Sequence, residues 1–143
     1  MAINNLSLGP DITLNIHSPT GEVVIPTVVS FMCEPTPEVR KSVAINGNVL
    51  FAPIPLGYTG SLETDRTSPA IEEFWTNYEK QYYAGVNLQP STITVTIREA
   101  NGSITQWIAT GVMFDAQSFG TWSGTDFVKQ TLKFNAAKYQ QIL

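Results

Sequence analysis

The stretch STITVTIREANGSITQWIATGVMFDA, residues 91–116, constrains the fold more than any other part of the chain. Ile93, Val95 and Ile97 alternate with Thr92, Thr94, Thr96 and Arg98, the period of two that gives a strand one apolar and one polar face. Asn101-Gly102 then offers the positive φ angles of a tight turn, and residues 103–115 return as a second strand. A lone hairpin is marginal in water. The apolar face therefore demands further strands, and the chain is expected to be mainly β.

Candidates for those strands lie on both sides. DITLNI, residues 11–16, places Ile12, Leu14 and Ile16 on one face, and SPTGE at 18–22 reads as a turn. VVIPTVVSFMC, residues 23–33, is β-branched and aromatic, and Pro26 inside it argues for an edge position or a bulge. Near the other end, QSFGTWSGTD is a Gly- and Ser-rich loop, followed by FVKQTLKF at 127–134 with Val128, Leu132 and Phe134 facing one way and Lys129, Thr131 and Lys133 the other. Between these blocks, EPTPEVRKS at 34–42 reads as loop, and a second Asn-Gly pair, Asn46-Gly47, turns the chain between short apolar runs. Pro53, Pro55, Gly57 and Gly60 make the second half of this segment irregular. Residues 34–67 thus form a long excursion bearing a hairpin, and long excursions from a compact domain are usually functional or mobile.

One segment, SPAIEEFWTNYEKQYYAG at 68–85, reads as helix. Ser68 is a good N-cap, Pro69 suits the first helical position, and Gly85 closes the C-terminus. Ile71, Phe74, Trp75, Tyr78 and Tyr82 fall on a single stripe that is expected to face the core, with Glu72, Glu73, Asn77 and Lys80 on the outward or neighbour-facing side. The expected architecture is one domain over residues 1–143: about six or seven antiparallel strands in a small sandwich or barrel, flanked by this helix.

Chemistry finds little purchase in these residues. Cys33 is the single cysteine and His17 the single histidine, which excludes an intrachain disulfide and a multi-thiolate zinc site. His17 reads as a strand-end or surface residue, Cys33 as a small hydrophobe, and Glu63, Asp65 and Arg66 as a solvated cluster. Neighbouring Glu72 and Glu73 diverge by about 100° on a helix and do not converge on a substrate. GYTG and GTWSG lack the lysine and the strand-to-helix context of a phosphate loop. The expectation is a protein that is not an enzyme and has no cofactor or metal. The N-terminus MAINNLSLGP has neither the basic nor the apolar region of a secretory signal, and no apolar run approaches a membrane span of about 18 residues.

Surface composition points to assembly. Charged residues make up 14% of the chain, against roughly 25% for an ordinary soluble domain. Uncharged Thr, Ser, Asn and Gln number 42 and stand in their place. Charges are what interface cores lose, so this surface is expected to be largely covered by partners. A net charge of -4, with no basic cluster, argues against tight duplex binding.

The order of elements resembles the tail tube proteins of contractile-tailed bacteriophages, relatives of R-type bacteriocin tubes and of the Hcp protein of type VI secretion. The resemblance rests on ITVTIREANGSITQWIATGVMF and the closing GTWSGTDFVKQTLKFNA, and runs from about residue 10 to 136. It implies hexameric rings stacked into a hollow tube in the virion tail, assembled in the host cytoplasm, with DNA passing through the lumen unbound and no membrane involved. The implied partners are further copies of the chain, a tail sheath protein, and baseplate and terminator proteins. The loop around residues 34–62 would reach the adjacent ring, which makes Asn46, Gly47, Asn48, Leu50, Phe51, Pro53 and Pro55 the ring-stacking candidates. The polar helix face, with Glu72, Glu73, Asn77 and Lys80, would meet a neighbour or the sheath. A baseplate protein that starts tube growth, or a secretion-tube subunit, fits the same pattern. Outside the assembly class stand a carbohydrate- or ligand-binding β module stacking on Tyr58, Trp107, Phe119 and Trp122, and a small hydrolase built on His17.

Overall fold

A computed structural model describes residues 3–6, 12–23, 25 and 28–143. In chain order these form β1 (Ile12–Ser18), β2 (Gly21–Val23), β3 (Val28–Pro35), β4 (Glu38–Val43), β5 (Val49–Ile54), β6 (Tyr58–Asp65), α1 (Ala70–Tyr83), β7 (Ser91–Arg98), β8 (Ile104–Ser118), β9 (Lys129–Ala136) and β10 (Lys138–Gln141). Pro26, to which the sequence gives an edge or bulge, lies outside the described residues.

Eight strands form one antiparallel sheet in the order β2-β1-β7-β8-β9-β6-β3, with β10 also on β8. The hairpin of residues 91–116 is its centre: Ile93 and Val95 are buried, and the long β8 pairs with β7 through its first part and with β9 through its second. A bulge makes that division possible. Ile93 stands opposite Ala109 but Ser91 opposite Val112, so β8 carries an extra residue where Gly111 sits at φ +65°. Inward-facing positions switch there from Trp107 and Ala109 to Val112 and Phe114. The β9–β10 strand runs in unbroken register along β8, from Phe134 opposite Phe114 to Lys138 opposite Thr110, and switches face at the same level. Ala137 leaves no room for a side chain at 111, since a Cβ there would lie 2.8 Å from its own.

The sheet encloses its apolar face. Ile16 and Val23, from the β1–β2 side, line the same gap as Phe114 and Leu132, and that gap has no room for a water molecule. Leu62, Val95, Val112 and Phe134 belong to the same buried cluster, and Phe31 and Phe114 stack on or edge Phe134. α1 enters this cluster through Ile71, which is buried, and Phe74, whose ring meets Phe114 edge-on at 5.4 Å.

Several sequence expectations change here. Residues 34–67 are not one excursion: β3 runs to Pro35 and Tyr58–Asp65 is a central strand flanked by β3 and β9, so the excursion is 36–57 and its first half is strand rather than loop. Gly60 does not interrupt β6; it lets the chain pass, because a Cβ there would collide with the Met32 carbonyl and the Phe134 ring. Both Asn-Gly turns are three-residue loops rather than two-residue ones. Gly47 and Gly102 alone adopt positive φ, each at +87°, while the amides of Asn48 and Ser103 donate to the side-chain oxygens of Asn46 and Asn101. The strand expected at 127–134, β9, begins at Lys129, its inward positions are Gln130, Leu132, Phe134 and Ala136, and a further strand, β10, follows it.

The helix begins one residue later than expected. Pro69 is its N-cap, its carbonyl accepting from the Glu73 amide at 2.8 Å, and Ser68 makes no capping hydrogen bond. At the other end Gly85, at φ +73°, closes a Schellman motif in which its amide donates to the Tyr82 carbonyl and that of Val86 to the Gln81 carbonyl.

Candidate assembly surface

β4 and β5 form a two-stranded sheet of their own, paired from Glu38↔Ile54 to Val43↔Val49 and, among the described residues, joined to no other strand. At the base, the Thr36 amide and hydroxyl both donate to the Gly57 carbonyl at 3.0 Å, pinning the two ends of the excursion together. Every residue of both strands is exposed. Antiparallel register places Val39, Lys41, Val43, Val49, Phe51 and Pro53 on one face, and Glu38, Arg40, Ser42, Leu50, Ala52 and Ile54 on the other. On the second face Arg40 and Glu38 form a 2.9 Å ion pair. The stacking candidates therefore come together: Asn46, Gly47 and Asn48 make the tip, Leu50, Phe51 and Pro53 lie along β5, and Pro55 comes directly after it. Phe51 is 65% exposed, and Ile45 at the tip is fully exposed. Patches of this kind mark interaction sites.

The helix candidates divide differently from their stripe. Ile71 and Phe74 pack on the core, Trp75 and Tyr78 are half-buried and stack on each other at 4.8 Å, and Tyr82 is 63% exposed, so the core-facing role expected of Tyr82 does not hold. α1 leaves the core along its length. Glu73, Asn77 and Lys80 are exposed as expected of an outer face. Glu72 is not on it: its carboxylate accepts from Arg66 Nε at 2.7 Å and Nη2 at 3.3 Å, and from the buried Gln130 Nε2 at 2.9 Å. Gln130 also donates to the Phe119 carbonyl, and Arg66 lies over the Trp122 ring at 5.4 Å. This cluster ties the start of α1 to β9 and to the loop at 119–128. The Arg66 hydrogen bonds hold the Glu72 carboxyl below the usual carboxylate range, and Glu72 in turn raises Arg66. Sequence reasoning missed Gln130; its signal was the shared parity with Leu132 and Phe134.

The residues weighed for chemistry stay apart. His17 is exposed near the end of β1, opposite Glu22 and Thr92. Cys33 is half-buried, and burial pushes its thiol up, away from the reactive thiolate. Among the described residues no group of three His, Cys, Asp or Glu side chains is placed to hold a metal. Trp107 and Tyr58 both pack on Tyr139, whereas Trp122 meets Arg66, so these aromatics serve two different contacts and no common cleft. The groove beside Phe74, Tyr78 and Leu88 has a free volume of only about 30 Å³, whereas a wide, open hollow of about 510 Å³ lies along the loop before β9, lined by Ser118, Thr121, Ser123, Asp126, Phe127 and Lys129 and by neither Tyr58 nor Trp107. No helix among the described residues is long and apolar enough to cross a membrane.

No family model matches the chain, and no curated protein is similar to it in sequence. Solved structures are similar in fold. A chain of the anti-feeding prophage cap, a tube-terminating cap, superposes with a TM-score of 0.66 at 11% identity, covering 99% of this chain and 94% of that one. A chain of the PVC sheath-tube complex, from an extracellular contractile injection system in the extended state, gives 0.59 at 14% identity over 90% and 87%. One from the virion of a native gene transfer agent particle gives 0.52 at 12% over 95% and 98%. The chain thus has the tail tube-like fold, mainly β and antiparallel with one helix.

Proposed function

We propose that the chain is a structural subunit of a phage-like contractile tail, forming hexameric rings that stack into a hollow tube. The observation that carries this reading is the β4–β5 hairpin, folded and apolar yet exposed at every residue of both strands. A two-stranded hairpin is marginal alone. On this reading its cover comes from outside, from a neighbouring ring, with a sheath around the tube and terminator and baseplate at its ends, which the fold shared with components of contractile injection systems supports; DNA passes through the lumen of a tube whose subunit has a net charge of -4, without specific binding. The role needs neither catalysis nor a cofactor. Particles would assemble in the host cytoplasm and act as part of a virion tail.

The test is negative-stain electron microscopy of the purified chain beside a variant in which residues 38–54 are replaced by a short Gly-Ser linker, which the pinned ends at Thr36 and Gly57 accommodate. Rings or hollow tubes from the parent and a folded monomer from the variant are expected. Normal tubes from the variant would remove the hairpin from the interface. A parent that stays monomeric and binds glycans would favour the ligand-binding module.

One observation favours a second reading, in which the protein ends the tube rather than building it: the cap chain has the higher TM-score, 0.66 against 0.59 for the sheath-tube complex. A tube end predicts single rings that never elongate.

A further inference from the structure

The hairpin's two strands are written in different patterns. β5 reads Val49-Leu50-Phe51-Ala52-Pro53-Ile54, six uncharged apolar residues in succession, while β4 reads Glu38-Val39-Arg40-Lys41-Ser42-Val43 and keeps a polar side. A continuous apolar run is the pattern of a strand buried on both faces; alternation is that of a strand with one face in water. We propose that assembly covers β5 on both faces and β4 on one, leaving the face of Glu38, Arg40 and Ser42 open to solvent, and that the covering surface is a second copy of this chain. This deepens the tube reading and rests on it.

Charge singles out the occupant. Glu38, Arg40 and Lys41, all on β4, give the excursion one net positive charge on a chain of formal net charge -4, so another copy presents an acidic body to a hairpin of opposite sign. The Glu38–Arg40 pair is satisfied within the hairpin and needs no partner. Lys41, opposite Phe51 on the apolar face, is the one charge the cover must meet, and it selects an acidic surface. Contact is made through side chains: a proline enters a two-stranded ladder only where its nitrogen points outward, so Pro53 leaves a gap in the donors of the outer β5 edge and discourages an added strand.

Ser42 and Leu50 are cross-strand neighbours on the same face, and they decide the matter. Assembled fraction is read by sedimentation velocity of the pure protein over a concentration series, for the parent and for Val39→Asp, Phe51→Asp, Leu50→Asp and Ser42→Asp. The first three are expected to lower it by about tenfold or more and Ser42→Asp by less than about twofold. All four should keep the parent melting temperature, because every residue of both strands is exposed. A harmless Leu50→Asp, or a Ser42→Asp as damaging as it, overturns the inference while the tube reading stands. A parent that stays monomeric alone overturns both. Lys41→Glu is expected to weaken assembly more at low than at high salt; equal loss at both would remove the acidic surface from the account.

Discussion

Two hairpins of this protein share one kind of turn and differ in the strands that the turn joins. In β4–β5 the Ala44 amide donates to the Asn48 carbonyl at 2.8 Å and that of Gly47 to Ala44 at 2.9 Å; in β7–β8 Glu99 and Ser103 stand at 2.8 Å, and Gly102 and Glu99 at 3.0 Å. Both are Asn-Gly loops with glycine in the left-handed region, so local chemistry folds both ribbons back on themselves. Their strands then part company. β7 turns Ser91, Ile93 and Val95 into the core, while every residue of β4 and β5 is exposed. A turn fixes register, but burial fixes stability. The β7–β8 hairpin finds its burial inside the chain, and the β4–β5 hairpin leaves its apolar surface exposed.

That contrast is most sharply broken by a pair of matched substitutions. Phe134→Ala empties a core position only 1% exposed and should cost about 3–5 kcal/mol in denaturant unfolding. Phe51→Ala should leave monomer stability within about 0.5 kcal/mol while weakening assembly. Comparable losses from the two would mean that the hairpin packs on its own body. The helix stands between these extremes. Trp75 is half-buried, stacked on Tyr78 and donating to Glu79 at 2.8 Å, so Trp75→Ala is expected to cost about 1 kcal/mol, not the loss of a core ring. A cost of about 3 kcal/mol or more would show the stripe to be deeper than its packing indicates.

The smallest effect concerns Glu72. Its folded pKa lies below the unfolded value, so the Arg66 contact stabilises above the unfolded pKa and is lost as pH falls through the folded one. The gap in melting temperature between the parent and Glu72→Gln should therefore be flat near neutrality and close at acid pH. A gap that widens on acidification would contradict the assigned hydrogen bonds.

The sequence made the central hairpin and the helix legible because alternation in Ile93, Val95 and Ile97, and the spacing of Ile71 and Phe74, are one-dimensional images of burial. Where glycine or proline acts through tertiary contact the reading failed. Gly60 looked like loop punctuation, yet it is demanded by the Met32 carbonyl and the Phe134 ring, both distant in sequence. Gly111 gave no local sign that β8 changes face, and nothing local to Gln130 shows that Glu72 and the Phe119 carbonyl hold it inside. Tyr82 continued the helical stripe past the point where the sheet ends beneath it. Of the candidate surface, the tip and β5 were visible as an Asn-Gly turn and an apolar run; β4 was hidden in a Pro-flanked, charged segment.

Amide hydrogen exchange read by mass spectrometry, on monomer and assembled protein side by side, tests the central claim most directly. The peptide spanning residues 38–54 should exchange fast in the monomer and become protected on assembly, while residues 91–98 stay protected in both. Equal exchange of residues 38–54 in the two states would show that assembly does not cover the hairpin and would contradict the account.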